Sequence, residues 1–419
     1  MGLAAREVTG PSTMPKPPAH KWEFKARFRR HAFGWRSQPA IQRMKQALAE
    51  IERAAKHDPV LGAEGAVTLI ERLSPALEHV DSSSGAIGSA VYSALEDLSA
   101  LIAEAPAPPE VREDWIERLW QAHTDDEIPY IESLGDHWGA ICGSRERASA
   151  WADKYVDLVK LSWSPDPNLR GYFKGTTACL SALHRAERFE ELLGLVERNP
   201  SKIWNYQVWG VRALVAMGRK AEAIQFAEGC RGKWTSDIAV DEVCEEILLS
   251  SGLVEEAYQR YGIGATRGGT YLATFRALAK KYPHKTPAVL LADLVSSTPG
   301  EEGKWFAAAK EAGLYDEALA LANRTPTDPR TLTRAARDYA ESRHDFAVGA
   351  GMAALRWLAA GYGYEITGAD VWSAYANTLK AAKAAGREDA VRAEIRALVE
   401  GELGGFLASA LGRELHAVR

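Results

Sequence analysis

The feature that most constrains the fold is a short segment that recurs with one pattern. A glycine, three variable residues, a glutamate and an alanine occur at 218–223, 252–257 and 313–318, and the first two copies begin 34 residues apart. Glycine reaches the left-handed backbone conformation that ends a helix, and acidic residues are favoured at the start of the next one. The alanine lets that second helix pack closely. The pattern therefore predicts helix pairs joined by tight turns.

Helical periodicity extends this pattern over residues 169–400. Apolar and charged positions predict pairs at 169–184 with 189–198, 202–217 with 220–230, 236–250 with 253–261, 270–282 with 286–296, 299–312 with 315–323, 328–341 with 345–360, and 369–385 with 387–400. The turns recur about every 30 to 40 residues. Because a two-helix unit cannot bury its apolar face alone, we expect the pairs to stack into an α-solenoid, closed by a capping helix at 401–419.

The recurring segment resembles the middle of a tetratricopeptide repeat, in which a glycine ends the first helix and an alanine packs the second. Ala223, Ala257 and Ala318 match that alanine, whereas Gly386 opens a copy one residue short. Val211, Glu245 and Phe306 replace the family's small residue. The resemblance covers roughly 169–400 and implies a fold and a protein-binding concave face, not an activity. The chain also resembles a bacterial family of helical-repeat proteins.

The residues before 169 predict a different organisation. Four prolines between 1 and 20 favour a disordered tail. A basic, aromatic arm follows at 21–36, then an N-terminal helical bundle at 37–104 and helical hairpins at 110–163. Residues 38–161 resemble irregular helical hairpins of the HEAT or armadillo type. Prolines at 105–109 indicate a linker between the last two regions. The predicted fold class is thus all-α throughout.

Composition excludes several functional classes. The 51 Lys and Arg against 56 Asp and Glu give a net charge of −5, without the general positive field of a dedicated nucleic-acid-binding protein. Four widely spaced cysteines indicate reduced core residues rather than a zinc ribbon or a disulfide scaffold. The chain lacks an uninterrupted apolar run long enough to span a membrane and an N-terminal secretion signal. We therefore expect a soluble, cytoplasmic protein.

The basic arm at 21–36 carries six Lys or Arg against one Glu. Two interpretations are open. In the first, its cations bind a phosphate backbone while Trp22, Phe24, Phe28, Phe33 or Trp35 stack on bases. In the second, the aromatics cap the exposed end of the first helices and the cations lie in solvent. The candidate nucleic-acid contacts are Lys25, Arg27, Arg29, Arg30 and Arg36.

Aromatic residues of the predicted repeats are candidate contacts for a protein partner. The chain has 13 tryptophans, and aromatic side chains anchor many interfaces, although core packing is the other interpretation for those at amphipathic spacing. An insertion at 361–368 also brings tyrosines to a loop. The candidate partner-binding residues are Trp204, Trp209, Trp305, Trp372, Tyr362 and Tyr364.

The sequence offers weak signals for chemistry. Six residues are of metal-ligand type: His123, Asp125, Asp126, Glu127, Asp136 and His137. Their spacing fits no metal motif, and a helix-capping role for Asp125 or Asp126 explains them better. Glycines at 262–269 follow a helix rather than a strand, which favours an inter-repeat loop over a phosphate site. An acidic run from Asp237 to Glu256 is either a solvated face or a docking surface for a basic partner.

These patterns together predict a non-enzymatic scaffold or adaptor that binds a protein partner on its concave surface. The alternative is a nucleic-acid-associated helical-repeat protein anchored by the basic arm. A third class, an enzyme with a site assembled from distant residues, is also retained. No cofactor, metal or catalytic residue is assigned.

Overall fold

The computed structural model describes residues 20–232, 235–401 and 404–416. Within those ranges the chain is all-α, and its extended structure is limited to one isolated bridge between Gly232 and Thr235. The predicted fold class is confirmed at that level. The predicted disordered tail lies almost entirely outside the described residues, since it covers 1–20.

The chain divides into two compact units, one ending at Thr235 and the other beginning at Ser236. The division falls inside the region predicted as continuous repeats, and the proline segment 105–109 lies within the first unit. That segment is packed rather than free, because Ala105 is 4% exposed and belongs to the core of the unit.

The first unit consists of helices that pack mainly on their neighbours in sequence. Asp58 and Ser144 cap two of them by accepting hydrogen bonds from first-turn amides. The helices are α1 Phe24–Arg27, α2 Ser37–His57, α3 Pro59–Leu77, α4 Ala86–Glu104, α5 Pro109–Thr124, a 3-10 turn Glu132–His137, α6 Trp138–Ile141, α7 Arg145–Ser162, α8 Thr176–Arg185, α9 Phe189–Glu197, α10 Trp204–Ala216 and α11 Lys220–Glu228.

The second unit continues in the same way from Ser236. Its helices are α12 Asp237–Leu249, α13 Val254–Ala257, a π-helical turn Tyr258–Gly262, α14 Ile263–Thr266, α15 Tyr271–Lys281, α16 Pro287–Ser296, a 3-10 turn Glu302–Trp305, α17 Phe306–Glu311, α18 Tyr315–Arg324, α19 Pro329–Asp338, α20 His344–Ala359, α21 Gly368–Ala384, α22 Glu388–Glu400 and α23 Gly405–His416.

The recurring glycines are helix-ending turns, as the pattern predicted. Gly218, Gly252 and Gly313 have φ of 77°, 74° and 75°. In each turn the amide after the glycine donates to the carbonyl five residues earlier, at 2.8, 3.0 and 3.0 Å, which is the Schellman arrangement. The alanine five residues after each glycine is 0% exposed in all three copies. The segment therefore acts as a joint between two packed helices.

Two further joints of this kind were missed by the sequence pattern. Gly361 has φ of 78°, and Glu187 has φ of 58° although it carries a side chain. The amide of Arg188 still donates to the carbonyl of Leu183 at 3.0 Å. The sequence pattern required a glycine followed by a glutamate and an alanine at fixed spacing. It therefore did not identify joints that lack one of these three residues.

The aromatics of the basic arm form a cap over the first helices. Trp22, Phe24, Phe28 and Phe33 are between 1% and 6% exposed and belong to the core of the first unit. The indole of Trp22 lies where a side-chain carbon on Gly65 would stand, which shows how closely the arm contacts α3. The capping interpretation is confirmed for these four, and stacking of bases on them is excluded by their burial.

One helix, Ala86–Glu104, is long and apolar enough by composition to cross a membrane. It is interrupted by Glu96 and Asp97, and its apolar face, including Ile87 and Leu95, is buried in the core of the first unit. One face of this helix is therefore packed within the first unit.

The glycine-rich segment 262–269 differs from the predicted loop. Gly262 ends the π-helical turn and residues 263–266 form α14. The ring of Tyr282 lies 3.2 Å from the position a side-chain carbon on Gly262 would occupy. Close packing against tyrosines, rather than a flexible connection, accounts for this glycine.

Candidate partner-binding groove

An open groove lies between α19 and α21 in the second unit. The start of α19 is fixed by Asp328, whose carboxylate accepts from the amide of Thr331 at 2.8 Å, and by Pro329 in the first turn. Apolar positions of α19 are buried, while its cations at i, i+4 and i+7 share the exposed face. Those three residues, Arg330, Arg334 and Arg337, form one wall of the groove.

Asp370 joins the two walls. Its carboxylate accepts from the amide and hydroxyl of Thr367 at 2.9 and 3.0 Å, which caps α21. The same carboxylate receives two hydrogen bonds from Arg330, at 2.7 and 3.2 Å. Hydrogen bonding to this guanidinium holds the pKa of Asp370 well below its usual range. Arg330 also donates to the carbonyl of Glu365 at 2.9 Å, so the loop before α21 is tied to α19.

Arg334 stands at the middle of the arginine row. It donates to the hydroxyl of Thr331 at 3.0 Å and makes no ion pair with any residue in the described chain. By contrast, Arg337 binds its neighbour Asp338 at 2.8 Å. Arg334 is therefore the cation of the groove that is available to a ligand.

The groove has a volume of about 450 Å³. The opposite wall, on α21, carries Ser373 and Asn377, and Leu358 of α20 lies at the base with 1% exposure. The amide group of Asn377 donates to the carbonyl of Ser373 at 2.8 Å. The arrangement is a polar channel with three arginines and Asp328 on one side and Asp370, Ser373 and Asn377 on the other.

Exposed aromatics lie near the groove but not in it. Tyr362 and Tyr364, in the loop that leads into α21, are 45% and 78% exposed. Trp372 is 40% exposed, yet it lies about 100° around α21 from Ser373 and packs on Tyr375 with ring centroids 5.9 Å apart. These three predicted partner contacts remain accessible.

The other tryptophans proposed as partner contacts are less accessible. Trp209 and Trp305 are 4% and 3% exposed, so they serve packing and offer no surface to a partner. The indole N–H of Trp305 donates to the hydroxyl of Thr298 at 2.7 Å. Trp204, at the start of α10, is half-buried. Trp204 and Trp209 lie on α10 and Trp305 lies in a 3-10 turn. Amphipathic spacing did not reveal which of these side chains are covered.

The five cations proposed for nucleic acid are all exposed: Lys25, Arg27, Arg29, Arg30 and Arg36. They project from a segment whose aromatics are buried.

The residues of metal-ligand type do not assemble a site. No group of three or more His, Cys, Asp or Glu is placed to hold an ion in the part of the chain that the structure describes. Asp126 instead accepts from the amide of Ile131 at 2.9 Å, next to the 3-10 turn, and is 2% exposed. Burial raises the pKa of Asp126 and lowers that of His123.

Three residues of the acidic run, Glu245, Glu255 and Glu256, are paired within the second unit. Glu245, 1% exposed, binds Lys281 at 2.6 Å and accepts from the hydroxyl of Tyr282. Glu255 binds Lys285 at 2.6 Å, and Glu256 binds Arg260 at 2.7 Å. These pairs favour an internal role over docking of a basic partner.

No protein-family model matches the chain, and no curated protein matches it. In the described residues the protein is all-α, and its groove lies between two helices of the second unit.

Proposed function

We propose that this chain is a non-enzymatic, cytoplasmic helical-repeat scaffold, and that it binds an extended acidic segment of a partner protein in the groove between α19 and α21. The observation that carries the proposal is Arg334, an exposed guanidinium on the groove wall without an ion pair in the described chain. All four cysteines are thiols rather than disulfides, which accords with the proposed reducing compartment.

The chemistry of the walls supports an acidic occupant. Arginine presents a planar fork of donors that matches a carboxylate, and opposite charges across an interface favour the correct partner. Ser373 and Asn377 face the arginines across the groove and can hydrogen-bond the backbone of an extended segment.

The groove is also held in shape before a ligand binds. The Arg330–Asp370 pair connects its walls, and the cap at Thr367 fixes the start of α21. A rigid site loses less entropy on binding. The exposed Tyr362 and Tyr364 on the adjoining loop supply aromatic surface of the kind that interfaces favour.

The test is selection from a displayed library of random 12-residue peptides against the full chain. We expect the selected peptides to be enriched in Asp and Glu and to lose at least 10-fold in affinity for Arg334→Glu. Arg324→Glu, at the exposed end of α18, is the matched control and should bind them as the unmodified chain does. Arg29→Glu controls for attraction to cations of the first unit.

Two results would reject the proposal. One is selection of peptides without acidic enrichment. The other is an equal loss of binding in Arg334→Glu and Arg324→Glu, which would show a general charge effect. Circular dichroism of each variant separates loss of binding from loss of fold.

A further inference from the structure

Positive charge is concentrated at the beginning of the described chain. Residues 20–57 contain ten Lys or Arg and three Glu, a net of +7, whereas the whole chain carries −5. The remainder therefore carries −12. We call residues 20–57 the basic pole. Such a local excess attracts polyanions although the protein as a whole is acidic.

The cations of the arm are exposed to solvent, whereas its first aromatics are buried. Trp22, Phe24 and Phe28 of the arm are buried, while its cations Lys21, Lys25, Arg27, Arg29 and Arg30 are exposed. The carboxylate of Glu50 accepts from the amides of Glu23 and Phe24 at 2.7 and 3.1 Å, which fastens the arm to α2. The cations thus stand on a folded support.

A cleft of about 500 Å³ lies in the basic pole between the arm and α2. Three guanidiniums line it, from Arg27, Arg29 and Arg43, together with Gln46 and two alanines; no carboxylate is among the lining residues. Arg43 lies over the ring of Phe33 at 5.3 Å, and Arg27 donates to Gln46 at 3.1 Å. Both are oriented by these contacts.

The arginines of the basic pole differ in whether they form ion pairs with carboxylates. Arg27 lies 3.6 Å from Glu23, and Arg30 lies 3.6 Å from Glu78. Arg29 makes no ion pair and no side-chain hydrogen bond with the residues that the structure describes. Arginine binds phosphate through two parallel hydrogen bonds, so Arg29 offers phosphate a guanidinium that no carboxylate occupies, beside the oriented Arg27 and Arg43.

Trp35 adds an aromatic surface to the basic pole. Its side chain is 71% exposed, unlike the four buried aromatics that precede it. Its backbone carbonyl accepts from the amide of Asp81 at 2.9 Å, which fixes the turn that carries it. An exposed indole beside cations is the combination that binds unpaired bases.

We propose that the basic pole binds single-stranded nucleic acid, with phosphates at Arg27, Arg29 and Arg43 and a base stacked on Trp35. A membrane surface also carries phosphates. However, a segment that lies in a bilayer interface needs an apolar face to enter it, and this arm buries its own aromatics in the core. The observations therefore favour nucleic acid.

Truncation is a poor test, because removing residues 1–36 also removes the buried cap. The better test measures fluorescence anisotropy of a labelled 20-nucleotide oligo(dT) with the full chain at 50–300 mM salt. We expect the triple variant Arg27→Gln, Arg29→Gln, Arg43→Gln to bind at least 30-fold more weakly at 100 mM salt. The slope of log affinity against log salt should fall by about 2, since each phosphate contact contributes about 0.7.

Trp35→Ala should weaken binding of the oligonucleotide about 5-fold to 100-fold and leave the salt slope unchanged, because stacking is not ionic.

The matched control for the arginine variant removes three exposed cations of the second unit, by Arg324→Gln, Lys383→Gln and Arg396→Gln. It should bind as the unmodified chain does. If the triple variant does not fold, the single variant Arg29→Gln tests the cleft, because it disturbs no described contact. We expect its affinity for the oligonucleotide to fall at least 3-fold.

The proposal is overturned if the unmodified chain does not bind the oligonucleotide at 50 mM salt. It is also overturned if the control triple variant loses as much affinity as the basic-pole variant. Vesicles of phosphatidylcholine with phosphatidylserine form the last arm: binding to vesicles that exceeds binding to the oligonucleotide and depends on Arg29 would assign the pole to lipid instead.

Discussion

The guanidinium of Arg112 donates a hydrogen bond to the backbone carbonyl of Ala105, at the proline segment between α4 and α5. It also donates to the carbonyls of Ile102 and Ile141, the latter at 3.3 Å, and it is 4% exposed. It makes no ion pair in the described chain, and burial lowers its pKa. One buried cation thus joins the end of α4, the proline segment and the end of α6 through backbone carbonyls.

We predict that Arg112→Lys destabilises the first unit by about 2–4 kcal/mol, because lysine cannot reach three separated carbonyls and leaves buried acceptors unpaired. Urea unfolding followed by circular dichroism measures the change. Arg145→Lys is the control: Arg145 forms an exposed ion pair with Glu187 at 3.0 Å, and its replacement should cost less than about 0.5 kcal/mol. Equal stability of the two variants would show that Arg112 does not anchor these segments.

The joint at Glu187 gives a second prediction. A side chain at positive φ destabilises the folded state by about 1–2 kcal/mol. Replacement by glycine removes this cost, but glycine's greater freedom in the unfolded chain cancels roughly half of the gain. Glu187→Gly should therefore raise the free energy of unfolding by about 0.5–1 kcal/mol.

Gly313→Ala is the reciprocal change in the second unit, at φ of 75°, and should lower the free energy of unfolding by about 1 kcal/mol. Thermal unfolding of both variants checks the pair. A destabilised Glu187→Gly protein would mean that the exposed Arg145 ion pair outweighs the backbone strain.

These joints show what sequence alone can predict. A helix end depends on neighbouring residues, so the pattern at 313–318 identified a turn whose geometry the structure confirms. The burial of Ala318 follows from the same local pattern. Helix pairs and the all-α class could be predicted for this reason.

The groove could not be predicted, because it depends on contacts between distant residues. Arg330 and Asp370 are 40 positions apart and meet only once α19 and α21 are packed. Likewise, periodicity places Trp305 and Trp372 on helices but does not tell which one faces the core; the structure buries the first and exposes the second. The one sequence feature at 330–337 that could have indicated the groove was its row of arginines at i, i+4 and i+7.

Thiol reactivity should follow burial. Burial raises the pKa of Cys142 and of Cys179 to about 12, and both side chains are 0% exposed. Cys230 is half-buried, and burial raises its pKa as well, without a comparable barrier to access. Because the thiolate is the reactive form, iodoacetamide at pH 8 should modify Cys230 first in the folded protein, as followed by peptide mass spectrometry. Early labelling of Cys179 would contradict this order.

The last prediction concerns acid stability of the first unit. His123 is 1% exposed, and burial lowers its pKa; the same cause lowers the pKa of His137 and His184. The folded state then binds fewer protons than the unfolded state. Stability from these groups is complete above about pH 6.5 and decreases as the pH falls toward the lowered values, by at most about 1.4 kcal/mol per pH unit for each histidine.

Asp126 and Asp136 act in the opposite direction, since burial raises their pKa and the folded state retains their protons. Their contribution to stability decreases as the pH rises above about 3.8, so it partly offsets the effect of the histidines near pH 5.

His123→Phe keeps an aromatic ring beside Trp120, whose centroid lies 5.9 Å from that of His123, and removes one titrating group. The loss of unfolding free energy between pH 7 and pH 5 should be smaller in this variant than in the unmodified protein. Parallel curves for His123→Phe and the unmodified protein would show that His123 is not the group that couples folding to protons.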